Sequence, residues 1–515
     1  MKTYDYVVVG GGSAGAVVAA RLSEDPAVTV CLLEAGGGGR NLFLQIPNGI
    51  YFVKGNPKFH WMMTAEPDPT RYDRKEGLTP GRGLGGGSAI NGMVYVKGLR
   101  QDYEDWNSAA GGDWSLEEVD RAFGRVEDKL EISGPTPMHP MAKNFMSAAR
   151  NWGLPENTTD LKRTGSGVMP CPTSASRGQR QSTFHGYLRP VLGRKNLTVV
   201  TNAVAEKVIV EGGRAIGIRY IRKGRAETVQ AGSEVILSAG ALITPKLLML
   251  SGIGPADHLQ AVGIKTLIDL PGVGQGIQDH PCMWISNRVA QRTWNDELNL
   301  LGMAKSGLQW LLSRTGSAAS GMCHVTLYGS TDGSDGRPDF QMSFMPAGYI
   351  VLDQGVEFIK SSSVTTAVSL CRPVGRGRIE LRSSDIREDP VIHYRLLDSA
   401  DDVRRLTEAC RIAREIVRQK PMADYVLDEA GPGPAVQTDK QWEETIRRTA
   451  VNMCHPVGSC RMGQDTGAVV DSRLRVKGVA GLRIADASIM PNLSSGNTNA
   501  PSIMIGERAA EFLRT

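Results

Sequence analysis

The sequence predicts an α/β fold in two interleaved parts, and three observations carry that prediction. Residues 4–36, "YDYVVVGGGSAGAVVAARLSEDPAVTVCLLEAG", pass from a β-branched run through an Ala-rich stretch to a second apolar run. Residues 338–351 ("PDFQMSFMPAGYIV") and 363–383 ("SVTTAVSLCRPVGRGRIELRS") alternate apolar and polar side chains, as strands of one antiparallel sheet do. Residues 401–419 ("DDVRRLTEACRIAREIVRQ") carry apolar side chains at helical spacing, which predicts an amphipathic helix covering that sheet.

The first stretch reads almost residue by residue. Tyr6–Val9 is a short strand ending at Gly10, Ser13 to Ser23 forms a helix, and Val28–Leu33 is a second buried strand closed by Glu34. Gly10, Gly12 and Gly15 occupy the G-x-G-x-x-G positions of a Rossmann-like unit. They allow the turn, the close approach of a pyrophosphate and tight helix–strand packing. Ser13 and Ala14 lie in the same turn, where the helix N-terminus offers N–H groups and a positive dipole end to phosphate. Glu34, followed by Ala35, stands nineteen residues after Gly15, where a carboxylate accepts from ribose hydroxyls and repels a 2′-phosphate. NADP is thereby disfavoured, and FAD and NAD stay open on these residues.

Composition bounds the rest. A chain of 515 residues exceeds one compact core, so two domains or one interleaved unit are expected. The 59 basic and 54 acidic residues give +5 without a dense Lys/Arg block, so no nucleic-acid partner is expected. Eight scattered cysteines fit neither a disulfide framework nor a zinc site and are expected as free thiols, Cys454 and Cys460 included. The chain enters a strand almost at once, and no apolar run approaches the ~20 residues of a membrane span. A cytoplasmic protein with no transmembrane segment and no bound metal is the expectation.

Three further stretches are rich in glycine. "TPGRGLGGGSAINGMVYVKG" (79–98) holds seven glycines, "GALITPKLLMLSGIGP" (240–255) follows the strand-like "EVILSAG", and "LPGVGQGIQDHP" (270–281) ends in acid and histidine. With the tail "HPVGSCRMG" to "SSGNTNAPSIMIGERAA", their order and wording resemble the glucose–methanol–choline (GMC) oxidoreductases, over nearly the whole chain. The nearest wording is that of bacterial choline dehydrogenase-like and L-sorbose dehydrogenase-like members.

The resemblance implies FAD and an alcohol substrate. It places Gly87, Ser88, Asn91, Gly92, Met93 and Val94 along the isoalloxazine ring and Val204 at the adenine. It puts Asp486 and Ala487 at the pyrophosphate and ribityl chain, and Asn497, Thr498 and Asn499 on the C-terminal side of the flavin. Some members attach FAD through a histidine two positions after the loop serine. Here Ile90 stands there, so non-covalent FAD is expected.

The resemblance also implies that His455 and Asn499 form the catalytic pair beside flavin N5. The chemistry agrees: hydride leaves an alcohol carbon as the hydroxyl proton is removed, and histidine accepts protons near neutrality. Asn499 would hydrogen-bond the alcohol oxygen, and it also suits a helix entrance. His280 is expected to hold a turn through Asp279, and His60 to pack. Met345, Tyr349 and Met453 are pocket candidates.

By the same resemblance, the FAD domain takes 1–155, 200–285 and 450–515, and the substrate domain 156–199 and 286–449. The substrate domain is of α+β type, its antiparallel sheet backed by helices. The expected activity is an FAD-dependent alcohol dehydrogenase passing electrons to a quinone-like carrier. An oxidase using O2 is the first alternative, and a hydroxynitrile-type lyase with structural FAD the second. With aromatic content of 6% and no visible aromatic cluster, a sugar, polyol, aryl or alkyl alcohol is expected ahead of choline.

Overall fold

The computed structural model describes residues 2–157, 165–333, 336–352 and 355–515. Its first sheet has seven strands. Lys2–Val9 pairs in parallel with Val30–Glu34 on one side and Arg225–Leu237 on the other, and Val30–Glu34 pairs in parallel with Leu197–Thr201. Arg214–Arg222 and Ala203–Glu211 extend the sheet antiparallel beyond Arg225–Leu237. The tail adds Leu482–Ile484, parallel to Val235–Leu237.

Helices cover both its parallel and its antiparallel strands, with Thr244–Leu250 against Ala203–Glu211. The helix Gly15–Leu22 is short and small-sided, and all but Arg21 of its residues are buried. The C-terminal helix Asn499–Arg514 lies against it, and Gly506 makes the approach close. A Cβ there would stand 2.7 Å from the Ala14 carbonyl oxygen and 2.9 Å from Val17 Cβ.

The second sheet, also of seven strands, runs Val426–Gly431, Pro281–Val289, Ser363–Leu370, Phe340–Met345, Val325–Gly329 and Gly167–Pro170, with Val451–Asn452 against Pro281–Val289. Every pairing in it is antiparallel. The helix Ala400–Val417 covers one face with Leu406, Ala409, Ala413 and Ile416, as its spacing predicts. Two expectations change in detail. Gly377–Glu380 joins a separate three-stranded sheet with Gln275–Ile277 and Val391–His393, and Tyr349–Leu352 forms a hairpin with Gly355–Phe358.

Two apolar cores follow the two sheets. The helix Pro140–Trp152 packs Met141, Phe145 and Ala148 into the second core. Ile379, Ile392 and Tyr394 belong to the first core, although they come from the middle of the 286–449 stretch. All eight cysteines are free. Among the described residues, no helix is long and apolar enough to cross a membrane.

Candidate active site

The first strand ends at Gly10, whose φ of +100° and closeness to Ser238 leave no room for a side chain. A Cβ on Gly15 would stand 1.9 Å from the Gly10 carbonyl oxygen, so glycine is required there as well. Gly12 and Gly87 are different: a Cβ there would have no neighbour nearer than 3.8 and 4.0 Å, and at Gly92 and Gly240 none within 4 Å. These open glycines, with partly exposed Ser13, Ala35, Asn91, Val204 and Ala487, border a groove that a flat or anionic group can enter.

The groove is tied together by hydrogen bonds. Gly85 N–H donates to the Gly11 carbonyl (2.7 Å), and Thr183 Oγ1 reaches the Gly12 carbonyl (3.2 Å) and Ser88 Oγ (3.0 Å). Ser13 Oγ donates to Asn499 Oδ1 (2.8 Å), bringing the N-termini of the first and last helices together at one point. Two positive dipole ends aimed at one place suit a pyrophosphate. The residues present therefore fit FAD, whose phosphates, ribityl chain and flat ring need glycine backbone and open space.

Glu34 is more committed than its position suggests. Its carboxylate accepts from the N–H groups of Gly11 (2.8 Å), Gly36 (2.7 Å) and Gly83 (2.9 Å). That leaves it one acceptor site for a ribose hydroxyl, rather than the pair expected. Burial pushes its pKa up against those three donors. Asp486 is likewise engaged, accepting from Gly240 N–H (2.8 Å), Thr244 Oγ1 (2.6 Å) and Ser488 N–H (2.9 Å). These bonds tie the loop that carries Ala487 to the turn at Gly240.

His455 stands at the far side, partly exposed. Its Nε2 lies 3.2 Å from Asn497 Nδ2, and its Nδ1 lies 3.0 Å from Nδ1 of His280. The side chain against His455 is thus Asn497, and Asn499, expected in that place, is turned to Ser13. The helix begins at Asn499, so the two asparagines leave the chain in different directions. His280 does more than hold a turn. Its N–H donates to Asp279 (2.8 Å), but its ring stands edge-on to His455 with centroids 5.2 Å apart.

The network assigns the tautomers. Gln341 Nε2 donates to Asn497 Oδ1 (3.4 Å), which turns the Asn497 amide N–H toward His455. An N–H donor facing Nε2 requires a lone pair there, so the proton sits on Nδ1 and is given to His280. Burial, with His280 adjacent, holds the His455 imidazole well below its ordinary pKa, and burial brings His280 to about 4. Both rings are neutral at neutral pH. Asp279, also buried, is pushed up to about 7 while accepting from His455 N–H (3.0 Å) and Tyr394 OH (3.2 Å).

Both walls carry strained backbone. Met93 has φ of +65° and Cys454 has φ of +57°, unusual for residues with side chains. Each is set by an asparagine two positions earlier: Met93 N–H donates to Asn91 Oδ1 (3.1 Å) and Cys454 N–H to Asn452 Oδ1 (2.8 Å). Arg180, missed in the sequence, holds Asn91 in turn by donating to its Oδ1 (2.7 Å) and to the Pro47 carbonyl (3.0 Å). A lone arginine in a polar stretch gives no local signal of such a role.

The aromatic cluster not visible in the sequence does form. Tyr51, Trp284, Tyr349 and Phe358 pack together, with Tyr51 and Tyr349 joined through their hydroxyls. Met345 is buried in the same cluster, and Met453 packs on it beside His455. His60 is buried and bonds the Thr79 carbonyl (3.0 Å).

Comparison with known proteins agrees with this geometry. The GMC oxidoreductase family model matches residues 4–282 in its N-terminal part and 373–506 in its C-terminal part. The chain is 37% identical to an oxygen-dependent choline dehydrogenase of Pectobacterium carotovorum, covering 99% of this chain and 94% of that protein. It is 36% identical to an alcohol dehydrogenase [acceptor] of Pseudomonas putida, over 99% and 95% of the two chains. Among solved structures, pyridoxine 4-oxidase from Mesorbium loti matches at 28% identity and a TM-score of 0.88, over 99% and 98% of the chains. A formate oxidase variant of Aspergillus oryzae studied for FAD modification matches at 25% identity and a TM-score of 0.91, over 100% and 98%. The chain belongs to the GMC oxidoreductase family and is an FAD-dependent oxidoreductase acting on CH–OH donors.

Proposed function

We propose that this protein is a dehydrogenase that oxidises an alcohol of low polarity to its carbonyl compound, with His455 as proton acceptor and a quinone-like carrier as electron acceptor. The observation that carries the reading is the orientation of the His455 ring, whose Nε2 lone pair is held by Asn497 while Nδ1 is held by His280. Bound FAD would supply the two-electron acceptor for the hydride. His455 Nε2 takes the hydroxyl proton once the alcohol displaces the Asn497 amide from it, and its lowered pKa keeps that nitrogen unprotonated in the neutral range. Asn497, whose amide N–H faces His455 Nε2, would hold the alcohol oxygen beside it, while Asn499 stays with Ser13.

The aromatic rings near Met453 stand 4.7–5.3 Å from one another, so they fill space rather than enclose a cation. That favours an apolar alcohol over choline. Ile90 has no atom able to bond a flavin, which supports non-covalent FAD. A second reading, O2 as acceptor, is favoured by the name of the Pectobacterium relative and by that of the pyridoxine oxidase.

The test is anaerobic mixing with aryl and alkyl alcohols, polyols and choline while following cofactor absorbance near ~450 nm. Bleaching by apolar alcohols supports the reading, and bleaching by choline alone overturns the substrate class. Admitting air then compares O2 with a quinone. His455→Ala should keep the protein folded and yellow while slowing bleaching by ~10²–10⁴-fold. Bleaching at the wild-type rate would remove His455 from the role.

A further inference from the structure

The helix Leu300–Ser313 gathers Lys305, Ser306, Gln309 and Ser313 on one arc and its leucines on the rest, yet Trp310 is its one buried residue. Leu300, Leu301 and Leu312 are 83, 84 and 78% exposed, and Met303, Leu308 and Leu311 are exposed with them. An exposed apolar helix face of this extent normally marks an interaction site. A second exposed apolar group lies beside it: Leu42, Phe43 and Phe52, with the two phenylalanine rings stacked at 5.0 Å. Ser317 ties the two groups into one face, since its carbonyl accepts from Asn48 Nδ2 (2.7 Å) and its hydroxyl bonds Ser306 Oγ (2.7 Å).

The charges carried by these two segments are all of one sign. Residues 40–62 and 298–315 contain Arg40, Lys54, Lys58, Lys305 and Arg314 and no aspartate or glutamate, which equals the +5 of the entire chain. Glu297, at the base of the helix, is turned inward and accepts from Ser306 (3.2 Å) and Ser317 (2.6 Å). Exposed leucines and phenylalanines on segments whose own charges are all cationic complement an apolar layer beneath anionic headgroups. At 14 residues the helix is ~21 Å long, too short for a ~30 Å hydrocarbon core, so it would lie in the interface plane.

Behind the face, the aromatic cluster begins at Tyr51, next to Phe52, and continues through Phe358, Tyr349 and Trp284 to Met453 beside His455. We propose that this face seats the protein on an anionic lipid bilayer, with Leu300–Ser313 and the Leu42–Phe52 loop in the headgroup layer. The docking stands apart from the proposed electron acceptor and is tested without it.

The full-length, FAD-loaded protein is floated with vesicles of phosphatidylcholine alone and of phosphatidylcholine and phosphatidylglycerol in equal parts. Flotation with the anionic vesicles that weakens with salt is expected, with much less on phosphatidylcholine. Lys305→Glu should lower the vesicle partition roughly tenfold or more. Leu301→Glu/Leu312→Glu should abolish flotation while anaerobic bleaching by a water-soluble alcohol keeps the wild-type rate. No flotation on either vesicle, or flotation unchanged by the leucine substitutions, overturns the proposal. So does a wild-type dimer that these substitutions turn into a monomer without vesicle binding, because the face then covers a second copy.

Discussion

Cys454 holds a left-handed backbone immediately before His455, and Asn452 is what keeps it there. The arrangement aims the imidazole, so its loss should act on rate before affinity. Asn452→Ala is expected to cost about 1 kcal/mol of stability and to slow alcohol-driven bleaching by about tenfold or more, with little change in KM. Adding Cys454→Gly, which tolerates that backbone freely, should recover most of the rate. Failure of the glycine to rescue would mean that Asn452 acts through something other than the turn. The glycine fingerprint was legible in the sequence because it is local, a strand, turn and helix within thirty residues. The His280–His455 contact was not, because it joins positions 175 residues apart. Asn497 and Asn499 could not be told apart either, since the helix start that separates their directions is set by tertiary packing.

Among the elements, the C-terminal helix does the most for the groove, since its first residue meets Ser13 and its Gly506 lets it lie on the first helix. Gly506→Ala gains helix propensity, about 1 kcal/mol, but forces Cβ against the Ala14 carbonyl. Overpacking of this kind costs ~1–3 kcal/mol and cannot relax without shifting the turn that faces phosphate. The expected outcome is a lower unfolding midpoint and weaker FAD retention, read by thermal unfolding and by titration of FAD into the stripped protein. A variant with wild-type retention would show that the two helices adjust without moving the groove. Periodicity marked Ala400–Val417 within two residues of its observed ends. It could not say that Pro140–Trp152 packs on the second sheet, because an amphipathic face does not name its partner.

For the whole molecule, buried neutral histidines set the acid limit. His280, brought to about 4 by burial, stays unprotonated in the fold while the unfolded chain takes up a proton from ~6.5 downward. The unfolded state binds more protons between those values, so stability falls as pH drops through that window, by about 3 kcal/mol for this group. His324, brought to about 3 by burial, adds to the fall in the same direction. Asp279, raised to about 7, works in the opposite direction over the same range, so the histidine's share is read as the difference in urea midpoints between wild type and His280→Asn from neutral pH to below 4. A difference that does not change with pH would mean that the ring is not neutral in the fold. Acid should also release the FAD to the supernatant, as expected of a cofactor held by hydrogen bonds and shape alone.

The tail described above supplies a strand to the first sheet, the loop bearing His455 and the helix that closes on Ser13. For a chain still being synthesised, this fixes a timetable. The glycine turn emerges first and waits through more than four hundred residues for its last wall. Until then the sheet edge along Val235–Leu237 lacks its parallel neighbour, and the buried face of Gly15–Leu22 meets water or a chaperone. A ribosome stalled before the final helix should therefore hold a nascent protein that cannot yet keep its flavin. Loading of the cofactor then waits for the tail, not for the glycine turn.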